Sequence, residues 1–321
     1  MAPQADSIYA RAVQPKYTQK EHGPFRSMWR ALAYNLRTYV ARRPDLTADL
    51  PWLGVRLRAG SEDMLARRLY KTATYERAVT EFVLGYLTLA EPAPVFDVGA
   101  NVGYYSVLAH RVLGDGVPIH AFEAEPSNFA QLQHNLADAK ARSVVAHHRA
   151  VSDEPGEVEL FLWKRSNRGK HSIVPFTEAD DAGGDSVRVL ADTLDAFWAG
   201  AAGSGQNSSE TGELSLLKID IEGAEHRAFL GARDLLPRCR VILSEVSNKF
   251  LARAGVSLDE HLALVLDRGF SLFEIRDDGR AHPTSADELR TARRGCNVIY
   301  VRDDQRRAPW FAQLAVSATS N

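Results

Sequence analysis

Apolar positions along this chain follow two periods in alternation. Val95-Phe96-Asp97-Val98 is a short apolar run that ends in Gly99-Ala100-Asn101-Val102-Gly103. The pattern predicts a buried strand turning sharply into a helix over 102–113, with Asn101 as its cap. Pro118–Phe122, ending in Glu123, reads as the next strand, and 126–139 as a helix with Phe129, Leu132 and Leu136 on one face. Further strands are expected near 143–150, 158–162, 214–220, 241–246, 270–275 and 297–301. Helices are expected at 192–198, from 223 to 230 and at 257–268. Strand and helix in alternation predict an α/β fold with a mainly parallel sheet. No repeat of 20–50 residues is apparent.

The N-terminal part reads differently. Residues 1–24 are polar with three prolines and predict a loose arm. Residues 25–43 have helical period, with Phe25, Met28, Trp29, Leu32, Leu36, Tyr39 and Val40 on one face and Arg26, Arg30 and Arg37 off it. Such a helix is expected to dock on the main domain or on a second subunit, which implies a homo-oligomer. The alternative is peripheral contact with an anionic membrane or a polyanionic glycan. Helices at 61–70 and 77–89 precede Glu91-Pro92-Ala93-Pro94, which leads into the core. The expected division is a helical extension over 1–74, a main domain over 75–310 and a tail over 311–321. Residues 163–186, with Gly169, Gly183 and Gly184, suit a lid, and 200–212 suit a flexible Gly/Ser-rich linker.

Composition narrows the class only a little. The 321 residues are 45% hydrophobic and 25% charged, with a net charge of −2, which is ordinary for a globular protein and argues against a general nucleic-acid binder. The charge is uneven, with fourteen Lys and Arg against seven Asp and Glu in residues 1–80. Cys239 and Cys296 are too few for a disulfide framework and lack metal-ligand spacing, so no metal ligands are assigned. No signal region or membrane-length apolar run is evident, and a cytoplasmic protein is expected. No D/N-P-P-Y/F sequence or basic-aromatic pattern points to a nucleic-acid substrate.

The candidate chemistry gathers at strand ends. The turn after Val98 lies at the carboxyl end of a central strand, where helix N-termini and free N–H groups converge on ligands. Gly99 and Gly103 remove side chains that would hold a cofactor off the backbone. Glu123, twenty-six residues after Asp97, is placed to hold ribose hydroxyls. The glycine spacing GxxxG is neither a dinucleotide fingerprint nor a phosphate loop, so a cofactor without phosphates, S-adenosylmethionine, is favoured over an NAD-dependent oxidoreductase. Lys218-Ile219-Asp220-Ile221-Glu222-Gly223 puts three charges at the end of another central strand, where burial would perturb their pKa values. Glu245 ends the following strand. His171 is a candidate base on the 163–186 loop, and the pair Tyr75-Glu76 stands ready to close over the cofactor. A catalytically silent binding module is the competing class.

With these residues assembled, the chain resembles the FkbM-type family of S-adenosylmethionine-dependent methyltransferases. The likeness is carried by Phe96–Tyr105, Ala121-Phe122-Glu123, Ala150–Asp153, Thr193-Leu194-Asp195, Leu217–Glu225 and Leu243–Val246. It implies a doubly wound, Rossmann-like seven-stranded sheet whose last strand is antiparallel. It implies that Asp97, Gly99, Asn101 and Gly103 face the methionine end of the cofactor, with Glu123 on its ribose and Ser152 and Asp153 beside its adenine. Ala100 and Tyr104 of the same turn are also candidate cofactor-binding residues. Glu125 stands as an alternative to Glu123, because the family's Glu-Pro reads Glu123-Ala124-Glu125-Pro126 here. The acceptor is expected to be a hydroxyl on a sugar, a glycan or a polyketide-type molecule. Asp220 is the first choice of base, with Glu222 and His171 behind it and Lys218 stabilising the developing oxyanion. Asp220 with Glu245 or Asn248 could also hold Mg²⁺.

Overall fold

A computed structural model describes residues 24–40, 44–163, 169–177, 184–203 and 212–316, with backbone alone at 24–28 and 201–203. Thirteen strands run in chain order among them: β1 (Asp45–Leu50), β2 (Val55–Gly60), β3 (Val95–Val98), β4 (Ile119–Glu123), β5 (Val144–His148), β6 (Ala150–Val151) and β7 (Gly156–Phe161). They continue as β8 (Ser186–Asp192), β9 (Leu214–Ile219), β10 (Cys239–Val246), β11 (Phe270–Ile275), β12 (Ala281–Pro283) and β13 (Cys296–Arg302). Eight form the main sheet, in the order β12-β11-β13-β10-β9-β3-β4-β5. The pairs β9–β10, β3–β9, β3–β4 and β4–β5 are parallel, whereas β13 runs antiparallel between β10 and β11. This is the mainly parallel α/β sheet the alternation implied, wound as the resemblance implied but with eight strands rather than seven. The additional strand, β12, is a three-residue edge that ends in Pro283, too short to leave a period in the sequence.

Burial explains the pattern. Every residue of β3, β4 and β9 is buried, because helices cover both faces of the sheet. On one face Val95, Ala121, Leu216 and Ile299 pack with the helices Arg77–Leu89 and Tyr104–Leu113. On the other Phe96, Phe122, Leu217 and Ile242 pack with Phe229 and Val265.

Four expectations are corrected. The region before residue 75 is not wholly helical, because β1 and β2 form an antiparallel hairpin. The Asn135 side chain clasps both backbone groups of Arg58 at 2.8 Å, fastening that hairpin to the helix Pro126–Ala139. Ser186–Asp192, which straddles the expected loop and the following helix, is a strand between β6 and β7 in a separate three-stranded sheet. The described part of the tail, 311–316, is anchored in the core, since Leu314 and Ala315 are each 6% exposed and pack with the main cluster. Most of the predicted lid's tip, 164–168 and 178–183, and most of the predicted linker lie outside the described residues.

The N-terminal helix is the fourth correction. Pro24–Asn35 and the wider turn Leu36–Val40 do form a helical rod, but it does not dock through its apolar stripe. Tyr34 and Thr38 are buried and donate to the Ser61 carbonyl, while Arg30 and Arg37 reach Tyr70. Hydrogen-bonding groups hold this helix to the body, and its apolar stripe faces outward.

Candidate functional site

The cleft forms where β3, β4, β9 and β10 end side by side. Asp97 and Lys218 are register partners on β3 and β9, and their side chains approach to 3.7 Å. Asp97 Oδ2 accepts from Ser106 Oγ at 2.6 Å. Lys218 Nζ lies 3.4 Å from Asp220 and 5.0 Å from the centre of the Tyr105 ring. Burial acts to lower the Lys218 pKa, but Asp220, Asp97 and Glu76 outweigh it and hold the ammonium above its ordinary value. Lys218 is therefore a fixed cation and no proton acceptor. Its charge is committed to Asp97 and Asp220, so it positions Asp220 at the cleft wall. Asp97 itself is buried beneath that wall and does not line it.

The turn after β3 is built by the protein's own crowding. Gly99 N–H and Ala100 N–H both donate to the Phe122 carbonyl at 2.9 Å. Gly99 has φ +77°, and a Cβ there would stand 1.9 Å from the Asp220 carbonyl oxygen. Glycine is needed here so that two strand ends can touch, whatever ligand follows. Gly103, not Asn101, sits at the helix N-cap, and it lies behind the wall against Leu132. Asn101 takes a left-handed φ of 51° at the wall, and its buried Oδ1 has no hydrogen-bond partner among the described residues. Ala100 and Tyr104 also line the cleft. The Tyr104 hydroxyl, however, is spent on Tyr75 N–H and Thr80.

Glu123 is where the sequence places it. Its carboxylate accepts Asn101 N–H at 2.8 Å and Glu125 N–H at 2.9 Å, and burial pushes its pKa up to about 7. Glu125 is removed as a rival, because it caps the next helix by accepting from Asn128 N–H and Ser127. Ser152 and Asp153 do not line the cleft. Ser152 is fully buried and donates to Asp153, which pairs with Arg227 at 2.8 Å. Val151, their neighbour, is the wall residue there.

Acids crowd the opposite side. Asp220, Glu222 and Glu245 each bring a carboxylate oxygen within 4.8 Å of the others. Glu222 is held at φ 54°, and its carbonyl accepts from Arg253. Glu225 braces this turn by accepting Ile221 N–H at 3.0 Å and Gly223 N–H at 2.8 Å. Burial, then Asp220 and Glu245, holds the Glu222 pKa well above the carboxylate range. Burial, then Asp220, pushes Glu245 up to about 8. Glu76, held at φ 39° and bonded by the Tyr105 hydroxyl at 3.1 Å, is pushed up to about 7 by burial and Asp220. Four carboxyl groups thus share a wall with the ammonium groups of Lys218 and Lys170, an excess of acids suited to a cation.

His171 lines the cleft but is poorly disposed as a base. Trp163 N–H donates to its Nδ1 at 2.9 Å, so the neutral ring carries its proton on Nε2 and presents a donor. Lys170 beside it stacks on Trp163 at 5.3 Å and faces Glu222 and Glu245. Asn248, named with Asp220 as a metal ligand, instead donates to Leu289 and Arg290 carbonyls. Lys170 was missed altogether, and Glu245 had only its position at a strand end to show for it. The cleft spans about 1050 Å³ counting the solvent at its open mouth.

The family profile described as the methyltransferase FkbM domain matches residues 97–272. The 31-O-demethyl-FK506 methyltransferase FkbM of Streptomyces tacrolimicus is 28% identical over 240 residues, covering 68% of this chain and 85% of that protein. Among solved structures, the methyltransferase FkbM of Methylobacillus flagellatus aligns with a TM-score of 0.39 at 15% identity. That alignment covers 73% of this chain and about half, 52%, of the other. TYW2 of M. jannaschii, solved in complex with AdoMet, aligns with a TM-score of 0.38 at 11% identity over 81% of this chain and 87% of its own.

Proposed function

This chain belongs to the FkbM methyltransferase family, and we propose that it transfers a methyl group from S-adenosylmethionine to a hydroxyl oxygen of a sugar, glycan or polyketide-type acceptor. The observation that carries this reading is the convergence of Asp220, Glu222 and Glu245 on the cleft beside the Gly99–Asn101 turn. The relative from Streptomyces is named as a methyltransferase of 31-O-demethyl-FK506, which supports transfer to an oxygen.

The residues present fit the cofactor. Asn101 Oδ1 is a buried acceptor with no partner among the described residues, and the acidic wall favours a positively charged ligand. Glu123 would hold the ribose, and Asn101 with Glu76 and Asp220 the methionine end. Bound S-adenosylmethionine supplies a methyl group already activated by its sulfonium. The chain then has to orient the acceptor, which can be worth roughly 7–11 kcal/mol, and take up its proton. Asp220, fixed by Lys218 and with a side chain 30% exposed, is the carboxylate that meets both demands. Burial holds Glu222 and Glu245 above the carboxylate range, whereas Asp220 is the member of the group that pairs with the Lys218 ammonium, at 3.4 Å.

Calorimetry with S-adenosylhomocysteine tests the cofactor half. Wild type should bind it, and Glu123→Ala should weaken binding roughly 10–100-fold by removing charged hydrogen bonds. Absence of heat with wild type, or an unchanged affinity in a folded Glu123→Ala, rejects the assignment. A divalent cation on the same three carboxylates is the second reading, favoured by their spacing. Turnover abolished by EDTA and restored by Mg²⁺ selects it.

A further inference from the structure

Five large apolar side chains stand out of the molecule on one stripe. Trp29 and Tyr39 are 63% exposed, Leu32 and Leu36 56%, and Val40 72%. They lie opposite Tyr34 and Thr38, the pair that fastens this helix to the Ser61 carbonyl. Burying such a stripe against the protein's own core is the usual use of an amphipathic helix. Here the chain uses hydrogen bonds to hold the helix the other way up. The cost is exposed apolar area on a single protruding rod about 25 Å long.

Charge identifies what would cover it. Residues 24–43 contain five arginines and no acidic residue. Arg37 is exposed beside the stripe, and the neighbouring helix Met64–Thr72 adds exposed Arg67 and Arg68. A second copy of the chain would set these arginines against their own equivalents across a two-fold axis, which is repulsive. An anionic lipid surface satisfies both features, taking Trp, Tyr and Leu into the headgroup–acyl boundary and arginine onto phosphate. We propose that the Pro24–Val40 helix is a docking surface for an anionic bilayer, holding the enzyme in the interface without crossing it. No helix among the described residues is long and apolar enough to span a membrane.

Flotation of the full chain with vesicles tests this independently of methyl transfer. Vesicles of phosphatidylcholine with phosphatidylglycerol should carry the wild type, and phosphatidylcholine alone should not. Raised salt should release it. Leu32→Ser/Leu36→Ser, and separately Trp29→Ser, should bind about tenfold or more weakly with an unchanged melting midpoint, since these side chains pack against little. The proposal is overturned if wild type floats with neither vesicle, or if both variants float as well as wild type. It is equally overturned if wild type fails to float and sediments as a dimer that the double variant dissociates.

Discussion

Glu76, Glu123, Glu222, Glu225 and Glu245 all hold protons more tightly than free carboxylates, with burial the leading cause for each. The consequence for stability has a definite sign. The folded state binds more protons than the unfolded one between the ordinary carboxylate range and about pH 8, so stability falls as pH rises through that window. His147 and His261, lowered to about 4 and about 3 by burial, act in the opposite sense, but only below their unfolded value of 6.5. Lys218 is held above its ordinary value and stays charged throughout. The melting midpoint without cofactor should therefore decline from pH 6.5 to above 8. The cofactor, with its sulfonium charge, should recover part of this loss, and its product S-adenosylhomocysteine, whose sulfur is neutral, less. A midpoint that rises over this range contradicts the carboxylate cluster. Asp220 and Glu123 were legible from sequence because a charge at the end of an apolar strand has little choice but to line the crevice. Ser152 and Asp153, expected beside the adenine, do not line the crevice, because a turn near it can face either way and the Arg227 ion pair, distant in sequence, decided it.

At the scale of elements, β3 and its turn were readable because an apolar run interrupted only by Asp97 and followed by glycines has one economical solution. The hairpin β1–β2 and strand β8 were not. Their burial alternates along half-exposed sheets, so the apolar signal is thin and charged residues interrupt it. Two glycines separate what the elements require from what the chemistry requires. A Cβ on Gly295, just before β13, would stand 1.8 Å from Glu245 Oε1, the flexible end of a side chain. Gly295→Ala should therefore fold at a cost of about 1 kcal/mol or less, yet lower methyl transfer by displacing Glu245. Gly99→Ala drives into backbone at positive φ and should cost about 2–3 kcal/mol. Chemical denaturation of both variants measures this, and equal destabilisation would refute the distinction.

At the scale of the molecule, two charge distributions divide the work. The N-terminal helix is basic and turns its apolar stripe to solvent, while the crevice is acidic and sits at the carboxyl edge of the sheet. The helix was predicted with the right period and the wrong outlook, because periodicity reveals a stripe but not which side the body occupies. Three hydrogen-bonding residues, Tyr34, Thr38 and Arg30, made that choice. The central claim is that Asp220 takes the acceptor's proton in this acidic crevice. Its most direct test is methyl transfer by Asp220→Asn, with cofactor affinity measured on the same sample. Turnover should fall about 10²–10⁴-fold while affinity changes far less. Turnover close to wild type would contradict the account.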